Sequence, residues 1–283
     1  MTLLQILILA VVQGAAELLP VSSSAHVIVA EKLMGLDPTK PEMTLLLVML
    51  HTGTMFAVIL FFWKSWKESF FSSRTVLLDS LKFILTATVL TGIVGLCLKF
   101  LIEKICLKDI PHAEIELLFG NLNLISAALA AAGILILYAG CNESRASVEG
   151  GTLNLTRSCW IGAVQGFCLP FRGFSRSGAT ISTGLLLGIS RRRVEEFSFA
   201  LAVVLTPPII AREVMRFMKD QLSLASNPAS MINLFIPSLI GMVFSFAAGL
   251  LALKWLSSWL EKGRWYLFGI YCLSASVVVF FAP

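Results

Sequence analysis

The chain has 283 residues, 57% of them hydrophobic in type and only 14% charged, with a mean hydropathy of +0.85. So large an apolar excess excludes an ordinary soluble domain and points to a polytopic membrane protein. The formal charge of +5 does not argue for nucleic acid, because the basic residues gather at the ends of apolar runs, where membrane topology and anionic lipid account for them.

In chain order, the apolar pattern predicts short broken helices over about 2–18 and 23–34, then crossings over about 43–63, 81–101 and 115–139. After a polar linker it predicts broken helices over about 158–170 and 175–189 and crossings over about 195–216, 231–253 and 265–281. A crossing needs roughly 20 apolar residues for a ~30 Å hydrocarbon core, and the broken segments fall short of that. Each pair of them is therefore expected to dip in and return as a re-entrant hairpin, its irregular tip buried in protein. Pro207-Pro208 is expected to kink the fourth crossing. The start, Met1 to Ala16, has neither a basic stretch nor a small-residue cleavage site and is expected to belong to the mature fold. Six cysteines, Cys106 among them, form no C-x-x-C pair and read as small hydrophobes.

The broken segments share one grammar. Val12-Gln13-Gly14 leads to Pro20 and Ser22-Ser23-Ser24-Ala25, and Val164-Gln165-Gly166 leads to Pro170 and Ser175-Arg176-Ser177-Gly178. At the same interval after each serine cluster comes a glycine, in Met34-Gly35-Leu36 and in Leu187-Gly188-Ile189. Three crossings, an odd number, separate the hairpins, so the second half enters from the opposite face. The expectation is an all-α integral membrane fold, one domain over 1–283, built as an inverted repeat (about 1–140 and 158–283) with ten helices, six crossings and two re-entrant hairpins. With the first hairpin rooted on side A, side B carries more Lys and Arg, including Arg145 and Arg191-Arg192-Arg193, than side A with Lys40 and Lys108. Side B is then cytoplasmic. The two tips meet near mid-membrane, the first opening to the outer face.

Ionisable side chains inside apolar segments cost about 2.5–3.5 kcal/mol on insertion scales and so mark functional sites. Glu17, His26 and Arg176 are such residues. Gln13 and Glu17 are four apart and share a helix face, while Ser22, Ser23 and Ser24 supply N-cap oxygens to the helix that carries His26. Both hairpins present a helix N-terminus, which favours anions, and the second adds Arg176 between Ser175 and Ser177, a bidentate clamp suited to phosphate. Glu17 and His26 are groups able to move protons or hold a divalent cation.

Gln13-x-x-x-Glu17, Leu19-Pro20-Val21-Ser22-Ser23-Ser24-x-His26 and Gly173-Phe174-Ser175-Arg176-Ser177-Gly178-Ala179-Thr180 resemble the two signature regions of the undecaprenyl-diphosphate phosphatases of the bacitracin-resistance type. His51-Thr52-Gly53-Thr54 resembles a segment of that family's third helix. The resemblance spans nearly the whole chain. It implies a multi-pass hydrolase of the bacterial inner membrane that takes one phosphate from a C55 polyprenyl diphosphate. It also implies Mg²⁺ or Ca²⁺ as cofactor and a site open to the outer face. Carried over, Glu17 is metal ligand or general base, Ser23 nucleophile or phosphate ligand, His26 proton donor or nucleophile, and Arg176 stabiliser of the transferring phosphoryl group. Gln13, Ser22, Ser24, Arg172, Ser175, Ser177 and Thr180 complete the expected substrate contacts. Two positions matter against the family's pattern: Gln13 stands where the family has Glu or Gln and leaves one carboxylate in the first motif, and Arg172 stands where proline usually precedes Gly173.

Other readings compete. Inverted repeats with broken helices also build transporters, so a polyprenyl-phosphate flippase is the alternative to an enzyme. The soluble-acid-phosphatase-like class expects K-x6-R-P, S-G-H and S-R-x5-H signatures, which the chain lacks. Arg191-Arg192-Arg193 reads as a cytoplasmic anchor, with Glu195 and Glu196 pairing to nearby arginines. His51 is open between a neighbouring helix and the substrate, and His112 reads as solvated. Partners are the lipid substrate and the membrane, with no nucleic acid; a homodimer is compatible with such a chain.

Overall fold

The computed structural model describes residues 1–37, 41–105, 118, 121–143, 150–223 and 228–281. Cys106, His112, Lys40, Lys108 and Arg145 lie outside them. Among the described residues the fold is all-helical: α1 (Leu3–Leu18), α2 (Ser23–Leu33), α3 (Pro41–Ser69), α4 (Arg74–Ile105), α5 (Leu122–Cys141), α6 (Leu155–Cys168), α7 (Arg176–Leu186), α8 (Arg191–Ser223), α9 (Pro228–Glu261) and α10 (Tyr266–Phe280). Five of these, α3, α4, α5, α8 and α9, are long and apolar enough to cross a membrane. The sixth expected crossing, α10, is a helix of 15 residues, about 22 Å at 1.5 Å per residue. The long helices outrun the apolar stretches that announce them, because hydropathy marks the part that suits lipid and not the end of the helix. Thus α4 begins at Arg74, seven residues before its apolar stretch at 81. α8 runs through Pro207 and Pro208, and α9 likewise contains Pro237.

Local chemistry sets the ends of the short helices. Thr2 and Gln5 form a reciprocal capping box at the start of α1, Asn121 caps α5, Asn154 caps α6 and Ser175 caps α7. Asn121 explains why α5 begins at Leu122. The two glycine triplets end α2 and α7 in one way. Leu36 N–H donates to Glu31 O and Gly35 N–H to Lys32 O, as Ile189 N–H donates to Gly184 O and Gly188 N–H to Leu185 O. These are Schellman closures, which need a left-handed residue. Gly35 (φ 62°) and Gly188 (φ 77°) supply it.

The hairpins also pack alike. α1 lies on α9, where a side chain at Gly14 would strike the carbonyl of Ser245, and α6 lies on α4, where one at Gly166 would strike the carbonyl of Thr91. Within lipid, helices associate through close backbone approach at small residues and not through burial of apolar surface from water. α4 and α9 are the fourth helices of their halves, so each hairpin rests on the other half's fourth helix. Leu18, Leu19 and Val21 of the first hairpin share one buried cluster with Ile181 and Leu185 of the second.

The far end of the bundle is held by charge. Arg191 grips Glu143 with two nitrogens at 2.8 and 2.6 Å and donates to the carbonyl of Glu261. Glu196, only 1% exposed, accepts from Ser65, Ser69 and Arg192 and pairs with Arg193. Its neighbour Glu195 accepts from the Ser257 hydroxyl instead. Arg191 therefore joins α8 to α9 and the Glu143 segment and Arg192 joins it to α3, while Arg193 pairs within α8, so the arginines tie helices together as well as pairing with Glu196.

Candidate active site

Pro20 follows the end of α1, and the chain turns sharply enough that Ser22 takes φ 66°, the single described non-glycine residue with positive φ. α2 then starts at Ser23, whose hydroxyl donates to Glu17 Oε2 at 2.5 Å. Gln13, one turn before Glu17, donates from Nε2 to the same oxygen at 3.3 Å and to His51 Nδ1 at 3.0 Å. In the second hairpin, Gly173 (φ 103°) presses against the backbone of Ile125 where no side chain fits. Ser175 then caps α7 by accepting from Gly178 N–H, which makes Arg176 the first residue of that helix.

The two tips touch. Ser177 donates to the carbonyl of Leu19 at 3.3 Å, and Arg176 Nη2 lies 3.5 Å from Glu17 Oε1. Side-chain exposures of 22% and 21% leave this ion pair largely enclosed. Such a pair is strongly destabilised if one partner is removed, about 3–5 kcal/mol, because the other charge stays buried. Arg176 Nη1 is buried without a hydrogen-bond partner among the described residues. Glu17 and Arg176 line a cleft of about 220 Å³, counting its open mouth, whose other walls include Thr54, Met55 and Val58 of α3 and Thr206 of α8.

The remaining expected residues divide by what their polar atoms do. Ser22 and Ser24 hydroxyls lie 3.3 Å apart at the start of α2, and Ser22 makes no side-chain cap bond. Ser175, Ser177 and Thr180 are buried and knit the second tip together, Thr180 bonding to the Arg176 carbonyl and to Ser198. Arg172 is exposed and interacts with Glu31, a carboxylate of α2 that is 5% exposed. His26 is not joined to Glu17. Its Nδ1 lies 2.8 Å from the carbonyl of Ser22, which can only accept, so Nδ1 carries the proton and Nε2 accepts from the Tyr271 hydroxyl at 2.6 Å. The Tyr271 ring stacks on the imidazole.

For a divalent cation, the donor set is small. No group of three His, Cys, Asp or Glu able to hold a metal occurs among the described residues. Among the described residues, Glu17 is the one carboxylate lining the cleft. That fits an ion held partly by substrate oxygens, as Mg²⁺ commonly is, and not a cage made by protein alone.

A family model described as bacitracin resistance protein BacA matches residues 6–278. The chain belongs to that family. The Acinetobacter baylyi protein named Undecaprenyl-diphosphatase 2 is 58% identical over 280 residues, covering 99% of this chain and 97% of the relative. Proteins named Undecaprenyl-diphosphatase from Thermodesulfovibrio yellowstonii and Rhodopirellula baltica are 32% and 30% identical, each covering 98% of this chain and 96% of the relative. Family and long apolar helices together make it an integral membrane protein.

Sequence reasoning missed two participants near the BacA signature residues. Tyr271 lies 245 residues from His26 and carries no local motif. Glu31 was findable, as an ionisable residue inside a short apolar helix.

Proposed function

We propose that the chain hydrolyses undecaprenyl diphosphate to undecaprenyl phosphate and inorganic phosphate, recycling the lipid carrier of peptidoglycan synthesis and thereby conferring bacitracin resistance. The carrying observation is that Glu17 of the first hairpin and Arg176 of the second line one cleft 3.5 Å apart, with the Ser23 hydroxyl already on Glu17. Relatives named for this activity align over nearly the full chain.

The chemistry follows from these atoms. The unpartnered Arg176 Nη1 and the uncapped first turn of α2 offer donors to the phosphoryl oxygens. Ser23 attacks the terminal phosphorus as Glu17 takes its proton, the bridging oxygen departs on the lipid phosphate, and water then cleaves the phosphoserine. Arg176 stabilises charge on the transferring group in both steps. For His26 to give the leaving oxygen a proton, Nε2, which carries none while it accepts from Tyr271, must first leave that hydroxyl and take up a proton from water. Glu17 would hold Mg²⁺ or Ca²⁺ together with diphosphate oxygens, and the ion's contribution when bound is to neutralise their charge. Gln13 and Ser24 border this centre, while Ser175, Ser177 and Thr180 hold Arg176 in place.

The same reading makes the chain one membrane domain of two inverted repeats. Support comes from hairpin helices of 16, 11, 14 and 11 residues, each below the roughly 20 a crossing needs, and from each hairpin's seat on the opposite half's fourth helix. The basic bias makes the cleft face outward in the bacterial inner membrane.

The test is phosphate release from undecaprenyl diphosphate by purified protein in detergent with Mg²⁺ or Ca²⁺, wild type beside Glu17→Ala and Arg176→Ala, with folding checked by size exclusion. Release by wild type and a loss of about 10²–10⁴-fold in each variant is expected. No release from wild type, alongside lipid translocation in liposomes, would leave the flippase reading standing.

A further inference from the structure

His51 sits one helical turn before Thr54 and Met55 and two before Val58, the three α3 residues that line the cleft. Residues three, four and seven apart share a helix face, so His51 continues that wall beyond the lining itself. Its side chain is 41% exposed, and its Nδ1 lies 3.9 Å from Glu17 Oε2, too far for a hydrogen bond. What does bind Nδ1 is the Gln13 amide at 3.0 Å. The Gln13 nitrogen is a donor only and spends its other hydrogen on Glu17. Nδ1 must therefore accept, which places the ring proton on Nε2. The imidazole is thus held at one nitrogen by a residue of the catalytic cluster and keeps an N–H on the other, beside a cleft that already holds an arginine.

We infer that His51 is a substrate-binding residue whose Nε2–H donates to an oxygen of the diphosphate, with Gln13 fixing both its tautomer and its ring orientation. This rests on the diphosphate-hydrolase reading for the ligand's chemistry. Gln13 then has two tasks: one hydrogen steadies Glu17, and the other aims His51. A glutamine at position 13 is what allows this, since an ionised carboxylate there would have no hydrogen to give to Nδ1.

The experiment compares His51→Phe with wild type in the phosphate-release assay and in competitive inhibition by inorganic pyrophosphate. Phenylalanine keeps the ring and removes the donor. KM for undecaprenyl diphosphate and Ki for pyrophosphate should each rise about tenfold, the worth of one charge-assisted hydrogen bond, while kcat stays within about threefold. Unchanged KM and Ki overturn the inference. So does a fall in kcat alone, which would make His51 only a support for Gln13. Nitrogen-15 spectra of histidine-labelled protein carrying His112→Gln decide the matter if His51→Phe does not fold. His51 should then show the Nε2–H form, distinct from the Nδ1–H form of His26, and its Nε2 resonance should shift with added pyrophosphate. An unmoved resonance refutes the inference. Absence of phosphate release by wild type refutes the hydrolase reading instead, and the pyrophosphate titration still tests His51.

Discussion

The two hairpins begin as near copies and end as opposites. Each has Gln-Gly on its first helix, a proline and a serine cluster at its tip, and a glycine Schellman closure on its second helix. Yet Gln13 reaches Glu17 and His51 at the cleft, whereas Gln165 is fully buried and donates to Thr91 within the α4 contact. At the first position of the second helix, one hairpin has Ser23 and the other Arg176. The lesson is that the repeat supplies scaffold twice and chemistry once: one copy contributes the carboxylate and hydroxyl, the other the guanidinium. In the proposed mechanism a single copy would hold either an acid or an anion site, and only their meeting makes a centre that binds and transfers a phosphoryl group.

The sharpest way to break that contrast is at the shared first position. Ser23→Ala should lower kcat for phosphate release by about 10²–10³-fold with KM little changed, since it removes the attacking group and leaves Arg176 intact. Mass spectrometry should find phosphate on residue 23 of wild type quenched during turnover and none on the variant. A loss below about tenfold would exclude Ser23 as the attacking residue.

On the scaffold side the two copies should behave alike. Gly14→Leu and Gly166→Leu each force a side chain into the backbone of the facing helix, and each should cost about 1–3 kcal/mol or more in stability. Thermal unfolding in detergent measures this. Should one glycine prove tolerant, the equivalence of the two contacts fails.

The smallest effects separate the two glutamines. Gln165→Leu should cost about 1 kcal/mol of stability and leave kcat within about twofold, the loss of one neutral hydrogen bond. Gln13→Leu should lower kcat/KM about tenfold with similar stability, because it frees both Glu17 and His51. Equal kinetic effects from both would show that neither glutamine has a special place.

Much of this was legible before any coordinates. The paired Pro and Ser clusters predict two tips, and the glycine triplets predict helix ends that the structure closes in one motif. Glu17 and Arg176 stand out because charge is expensive in apolar segments, and Ser23 because it opens a helix. What sequence could not supply is anything that needs a partner from far along the chain. Tyr271 on His26, Ser177 on Leu19 and the Ser65–Ser69–Glu196 cluster join residues more than a hundred positions apart without shared periodicity. Helix lengths were underestimated for a different reason: the polar ends of α4 and α8 are as helical as their apolar middles, and hydropathy is blind to them.

The pairing of the hairpins is tested most directly by a double-mutant cycle on kcat/KM for phosphate release, using Glu17→Gln, Arg176→Lys and the double variant. If both residues serve one centre, the double variant should lose far less than the product of the two single losses, since either change already disables the shared assembly. Losses that multiply to within about twofold would mean that the two residues act independently, and the account of a joint catalytic cleft would be wrong.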